Sequence, residues 1–182
     1  YSVVAVTGLA CLLLGLFDDR KPIRPIYRLL FTFLLALVAL EIVPALQVTF
    51  LRFSFFDQVV FLGQFAIYFT AVCIVGLQNA VNMADGKNGI VMALCLFWCL
   101  DLFIFAPDHL HLVLLALVVA LAVALAFNLS GFIFLGDSGS YSLGFIIAIL
   151  VIYVYDIAFM VLPAELVVLW FLVPIVDCLR VM

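Results

Sequence analysis

Long apolar runs alternate with short polar breaks along the whole chain. A helix that spans a membrane needs about 20 mostly apolar residues. Seven runs approach this length, at about 1–17, 27–46, 58–78, 90–107, 111–128, 140–156 and 163–179. The pattern therefore predicts an all-α fold, a polytopic transmembrane helix bundle with about seven spans.

The composition supports this class of protein. The chain is 70% hydrophobic and 10% charged, with a mean hydropathy of +1.49. Soluble domains are about 45–50% apolar, so the polar residues here are too few to coat a soluble globule. Nucleic-acid binding is not expected, because the seven basic residues form no long run. The five cysteines lie in or at the ends of apolar runs, where we interpret them as small buried hydrophobes.

The polar breaks divide between two sides of the membrane if every predicted span crosses it. One side then holds 18–26, 79–89, 129–139 and the C-terminal end, and the other holds 47–57, 107–110 and 157–162. Six of the seven basic residues lie on the first side or at its edge: Arg20, Lys21, Arg24, Arg28, Lys87 and Arg180. The positive-inside rule predicts that this side is cytoplasmic.

The first polar cluster, "GLFDDRKPIRPIYR", ends a predicted span with two adjacent carboxylates, Asp18 and Asp19. Adjacent helical residues point about 100° apart, so the two are expected to serve different partners. One could face a reactant while the other holds a neighbouring base. Arg28 is a candidate phosphate contact. The alternative interpretation is a solvated helix end.

The second cluster, "NAVNMADGKNG", interrupts an apolar run. Asn79 and Asn82 can share one helix face, and Asp85 follows three residues later. Asn and carboxylate oxygens suit Mg²⁺, while Gly86 and Gly89 allow tight turns and close backbone approach. An Asn/Gly-rich turn would explain the end of this cluster but not the polar residues before it.

The third cluster, "FLGDSGSYSLGF", opens the sixth predicted span. Gly136 and Ser138 flank Asp137, and free backbone N–H groups at a helix start can hold a phosphate. The alternative is that Asp137 or Ser138 caps the helix. Together, the three clusters on one side predict phosphoryl transfer, where catalysis is chiefly positioning and charge neutralisation.

In this order, "FDD", "NAVNMADGKNG" and "FLGDSGSYSLGF" resemble the motifs of the polyprenyl-phosphate N-acetylhexosamine-1-phosphate transferases, glycosyltransferase family 4. The resemblance covers nearly the whole chain and is greatest to the N-acetylglucosamine-1-phosphate branch. It implies transfer of a sugar phosphate from a UDP-N-acetylhexosamine to undecaprenyl phosphate, with release of UMP. The implied cofactor is Mg²⁺, with Mn²⁺ as a substitute. The implied setting is the bacterial inner membrane and cell-envelope glycan synthesis, with a homodimer as a further expectation.

The same resemblance assigns roles by position. The implied catalytic residues are Asp18, Asp19 and Asp85, and the implied metal ligands are Asn82 and Asp137. The implied substrate contacts are Arg28, Asn79, Gly86, Lys87, Asn88, Gly136 and Ser138.

The chain departs from the family pattern at two points. Lys87 and Asn88 stand where bacterial relatives often have an apolar residue and Asp. The family's His-rich final loop would follow residue 182, so we expect 1–182 to be a single transmembrane catalytic domain cut from a longer protein. Two other functions remain as alternatives: a transporter or flippase for a phosphorylated metabolite, and another lipid-phosphate transferase.

Overall fold

The computed structural model describes residues 2–55 and 58–181, without the side chains of Leu179 and Val181. Its α-helices are α1 Ser2–Arg20, α2 Pro25–Ile42, α3 Ala66–Ala84, α4 Ile90–Phe105, α5 Asp108–Leu129, α6 Gly136–Ala158, α7 Ala164–Trp170 and α8 Leu172–Val181. Two short strands, β1 Phe50–Leu51 and β2 Val60–Phe61, and the 3₁₀ turns Pro44–Leu46 and Gly63–Phe65 lie between α2 and α3.

The all-α polytopic bundle is confirmed. Among the described residues, five helical segments are long and apolar enough to cross a membrane: α1, α2, α3 with its preceding 3₁₀ turn, α5 and α6. Helix α4 is equally apolar but has only 16 residues. Several helices run further than predicted, because the polar residues at their ends remain helical; α1 includes Asp18 and Asp19, and α6 begins at Gly136.

The seventh predicted span is wrong as a single helix. It is divided at Phe171 into α7 and α8. Pro174 has no N–H to donate to the carbonyl of Trp170, four residues earlier, and its ring crowds that carbonyl. The indole N–H of Trp98 donates to the freed carbonyl instead, at 2.9 Å. Tertiary structure therefore stabilises a break that hydropathy alone does not show.

A small hairpin replaces the predicted start of the third span. β1 pairs antiparallel with β2, Phe50 opposite Phe61, and the two rings lie 5.5 Å apart. Apolar and aromatic residues suit a pleated pair as well as a helix, so the apolar run that starts near 58 did not distinguish them. Helix α3 consequently starts later and ends later than predicted, at Ala84.

Helix α6 is the centre of the bundle. It packs against α1, α3 and α4, and it is the most buried of the candidate spans. Two glycines allow this packing: a Cβ at Gly15 of α1 would collide with the backbone of Asp137 and Ser138, and a Cβ at Gly144 would lie 2.9 Å from the Cα of Gln78. Small residues permit close helix contact where the hydrophobic effect cannot drive it.

Candidate active site

The first and third polar clusters meet at one end of the bundle. The guanidinium of Arg28, near the start of α2, forms an ion pair with Asp18 at the end of α1. Its Nη1 also lies 3.6 Å from Oδ2 of Asp137, in the first turn of α6. Three helices therefore each supply a charged side chain to one cluster. This is expected if the polar breaks that carry them lie on the same side of the membrane.

The adjacent carboxylates Asp18 and Asp19 serve different partners, which confirms that prediction. Asp18 accepts the backbone N–H of Ile23 at 2.6 Å as well as the Arg28 guanidinium. Asp19 accepts the backbone N–H groups of Asp137 and Ser138, at 2.9 and 3.2 Å. Asp18 therefore orients the Arg28 guanidinium. Asp19 binds the N-terminus of α6, where the helix dipole favours negative charge.

The alternative that Asp137 or Ser138 caps α6 with its own side chain is wrong. The helix starts at Gly136 rather than near 140, so both residues fall inside its first turn. Gly136 has a φ of +64°, and the Asp19 carboxylate lies within 3.1 Å of where its Cβ would be. The cap therefore comes from α1, and it occupies two of the N–H groups that were expected to be free for phosphate.

Among these three carboxylates, Asp137 is the one that accepts no backbone N–H from the described residues. Its side chain is 37% exposed, whereas that of Asp18 is 2% exposed. Both oxygens of Asp18 and both of Asp19 already accept hydrogen bonds. Asp137 lies 3.6 Å from Arg28 and within hydrogen-bond reach of the Asp18 carboxyl group, and it accepts no backbone N–H among the described residues. It retains capacity for an added ligand.

The second cluster joins this group through Asn82. The hydroxyl of Ser140 on α6 donates to Oδ1 of Asn82 on α3, which brings Asn82 to the first turn of α6. Asn79, one turn earlier, donates instead to the carbonyl of Val75 in its own helix, at 2.8 Å. Asn82 thus faces the site, and Asn79 supports α3 in this structure.

The end of the second cluster forms an exposed turn. Gly86, Lys87 and Asn88 are exposed there, and Gly89 adopts a φ of +87°. Asp85, at the end of α3, is partly buried, and this desolvation raises the pKa of its carboxyl group. Within the described part of the chain, Asp85 makes no hydrogen bond or ion pair with the Asp18–Arg28 pair. Its catalytic role stays a prediction.

Asn128, near the end of α5, is a site residue that the sequence analysis missed. It is buried, its side-chain oxygen accepts the N–H of Gly89, and its NH₂ group donates to the carbonyl of Ile133 at 2.9 Å. It therefore fixes the loop of the second cluster to the segment that leads into the third. The only sequence signal for this role was a single Asn at the end of an apolar run.

The donor set fits a divalent cation bound together with a phosphate. The described residues contain no group of three or more His, Cys, Asp or Glu that could enclose a metal ion. Mg²⁺, however, is usually held by one or two carboxylates plus substrate phosphates and water. The carboxylate of Asp137 and the amide oxygen of Asn82 are oxygen donors of this kind, and the Ser140 hydroxyl contacts both the Asn82 amide oxygen and the Asp137 backbone carbonyl.

Comparison with known proteins shows the family of this chain. The model of glycosyl transferase family 4 matches residues 1–155. A probable undecaprenyl-phosphate N-acetylglucosaminyl 1-phosphate transferase of Bacillus subtilis (strain 168) is 27% identical over 154 residues, which cover 82% of this chain and 42% of that protein.

Two further relatives are phospho-N-acetylmuramoyl-pentapeptide-transferases. The one from Nautilia profundicola is 30% identical over 127 residues, 59% of this chain and 35% of that protein. The one from Listeria innocua serovar 6a is 33% identical over 111 residues, 58% of this chain and 34% of that protein. The matched part thus spans well under half the length of each curated relative.

Proposed function

Because this chain belongs to glycosyl transferase family 4, we propose that the full-length protein transfers N-acetylhexosamine 1-phosphate from a UDP-sugar to undecaprenyl phosphate. An oxygen of the lipid phosphate attacks the phosphorus that bears the sugar. The bond from that phosphorus to the UMP oxygen breaks, UMP leaves with the electron pair, and a lipid-linked sugar pyrophosphate forms. We propose N-acetylglucosamine as the sugar, since the Bacillus subtilis relative, which aligns with 82% of this chain, carries that specificity in its name.

One observation carries the proposal: Arg28 lies between a buried carboxylate and an open one at a helix end. Both carboxylates contact Nη1 of the guanidinium, Asp18 as the close ion pair and Asp137 at 3.6 Å. A planar guanidinium suits phosphate, and a fixed one stabilises the charge that develops in phosphoryl transfer. We propose that Arg28 binds a substrate phosphate and that Asp18 orients the Arg28 guanidinium.

We propose that Asp137 and Asn82 hold Mg²⁺, which would supply positive charge to the bound phosphates. Asp19 fixes the first turn of α6 and so fixes the position of Asp137. Gly86, Lys87 and Asn88 are exposed at the same end and are proposed to contact the nucleotide sugar. This end faces the cytoplasm in our proposal, because it carries most of the basic residues.

We further propose that an apolar groove beside the site receives part of the prenyl chain. The groove has a volume of about 370 Å³ and lies between α3, α6, α7 and α8. It extends from Leu51 of β1 to Ala80 near the end of α3 and Cys178 of α8. Because the charged cluster lies at helix ends rather than at mid-bundle, an alternating-access transporter is less well supported.

The proposal is tested by mixing the purified full-length protein with UDP-N-acetylglucosamine, undecaprenyl phosphate and Mg²⁺. We expect release of UMP and formation of a lipid-linked sugar pyrophosphate, both lost when the metal is chelated. Absence of UMP with every UDP-N-acetylhexosamine tried would refute the proposed reaction. A topology reporter placed near residues 20, 87 and 137 should report one common side; different sides would refute the shared site.

A further inference from the structure

A buried polar layer lies one helical turn deeper than the site. Tyr141 follows Asp137 by four residues on α6, and Gln78 precedes Asn82 by four residues on α3. Residues four apart share a helix face, so each lies on the same face as its site residue. Tyr141 is 1% exposed and Gln78 is 0% exposed. The established motifs give no role to either residue.

The ring of Tyr141 contacts the guanidinium of Arg28. The Cζ atom of Arg28 lies 5.8 Å from the ring centroid, within the reach of a cation–π interaction. The Nε atom of Arg28 is buried and has no hydrogen-bond partner among the described residues. The orientation of Arg28 therefore depends on the Asp18 ion pair and on this ring.

Tyr141 is itself held firmly from α3. The side-chain NH₂ group of Gln78 donates to the backbone carbonyl of Tyr141 at 3.2 Å. Gly144 allows the backbones of α3 and α6 to approach closely at this level. The phenol hydroxyl is buried without a partner among the described residues, so the ring, rather than the hydroxyl, makes the contact that matters here.

We propose that Tyr141 is a positioning residue for Arg28. Its ring supports the guanidinium beside Asp18 and Asp137, where the substrate phosphate is proposed to bind. The catalytic consequence rests on the proposed function, whereas the placement of Arg28 by the ring does not. A tyrosine that only filled space could be replaced by another apolar side chain without any effect on Arg28.

Chemical modification of Arg28 tests the placement without any need for activity. The full-length protein is treated with phenylglyoxal, and the rate of modification at Arg28 is read by peptide mass spectrometry. We expect Tyr141→Leu to raise this rate by about threefold or more, because the guanidinium loses its aromatic support. Tyr141→Phe keeps the ring and should stay near the wild-type rate. Tyr153→Leu, on the same helix at the other end of the bundle, is the matched control.

Kinetics then test the catalytic consequence. We expect Tyr141→Leu to lower kcat/KM by roughly tenfold, as for loss of a desolvated cation–π contact, and Tyr141→Phe to restore it to within about twofold. Melting temperatures of all variants are measured in parallel. If the Leu variant does not fold, Tyr141→Met repeats the experiment with a flexible side chain that fills irregular space.

The outcomes separate the two proposals. Faster modification at Arg28 without any transferase activity in the wild type would support the placement and refute the proposed function. A Leu variant that behaves like Tyr153→Leu in both assays would overturn the positioning role. So would a Phe variant as impaired as the Leu variant, because the ring would then not be the group that acts.

Discussion

The two ends of the bundle use acidic and aromatic side chains in different ways. At the site end, charged side chains from α1, α2 and α6 contact one another. At the opposite end, Glu165 accepts the backbone N–H of Ser54 at 2.8 Å, and the hydroxyl of Tyr155 accepts that of Arg52 at 3.0 Å. There the side chains fix the residues that follow β1 to α6 and α7.

This difference shows how to separate scaffold from site in a protein with few polar residues. A carboxylate that accepts backbone N–H groups holds the fold, as Asp19 does with both oxygens and Glu165 does with Oε1. A carboxylate that faces other charges and accepts no backbone N–H among the described residues, as is the case for Asp137, is the better candidate for binding a ligand. The comparison therefore predicts which substitutions damage the fold, which damage the reaction, and which damage both.

The largest effect is expected for Asp18→Ala, which should damage both. Removing one member of a buried ion pair costs about 3–5 kcal/mol where the other charge is left alone, and less here, because Asp137 stays 3.6 Å from the Arg28 guanidinium. We expect a lower melting temperature and loss of UMP release, because Arg28 is no longer held. The control is Asp108→Ala, since the Asp108 side chain is fully exposed at the opposite end. An Asp18→Ala protein with wild-type melting would show that the ion pair does not stabilise the fold.

Asp137→Asn should damage the reaction but spare the fold. The carboxylate accepts no backbone N–H among the described residues, and two of its charged neighbours are the like charges of Asp18 and Asp19, so loss of its charge removes little that stabilises the fold. That charge is proposed to hold Mg²⁺. We expect kcat/KM to fall by about 100-fold or more, as for loss of a preorganised electrostatic group, with the melting temperature unchanged. Asp156→Asn, on the same helix at the other end, is the control for activity. Wild-type turnover by the Asp137 variant would exclude its proposed role.

The long helices could be predicted from the sequence because hydropathy and length are local properties. The division of the last span could not, since the break at Phe171 depends on Pro174 together with a donor from Trp98 on a distant helix. The hairpin was missed because Val60 and Phe61 are as compatible with a strand as with a membrane helix.

Within the site, the split between Asp18 and Asp19 could be predicted from helix geometry alone. The partner of Asp19 could not, because the N–H groups that it accepts lie 118 and 119 residues away. The link between Asn128 and Gly89 was likewise invisible, since both partners sit in segments that only the folded bundle brings together. Short-range spacing thus identifies candidate residues, and long-range packing assigns their partners.

Asp85→Asn should show whether Asp85, like Asp137, serves the reaction rather than the fold. Its effect on stability is expected to be smaller than that of Asp18→Ala. Burial raises the pKa of Asp85, so the folded state favours the protonated form. That stabilisation is present below the ordinary value of 3.8 and is lost as the pH rises through the higher folded value. Asn stays neutral, so at pH 7 the variant should melt slightly higher than the wild type, and the difference should vanish in acid. We expect UMP release to fall by at least about tenfold if Asp85 acts in catalysis.

A pH scan of melting temperature for the two proteins checks this prediction. The same stability difference at every pH would show that the Asp85 charge is not the cause. Wild-type turnover by the variant would remove Asp85 from the proposed catalytic residues. A stabilised but inactive protein would show that Asp85, like Asp137, is needed for the reaction and not for the fold.

The smallest effect is expected for Glu165→Ala, at the end opposite the site. The variant loses the acceptor for the Ser54 N–H, so amide hydrogen exchange around Ser54 should become faster, while UMP release stays at the wild-type level. Glu165→Gln keeps an acceptor oxygen and should lie between the two in exchange rate. The measurement is peptide-resolved hydrogen exchange with a parallel activity assay. Because this carboxylate contacts backbone at a distance from Arg28 and Asp137, a tenfold loss of activity in Glu165→Ala would show that the hairpin end is coupled to the reaction and that the two ends are not independent.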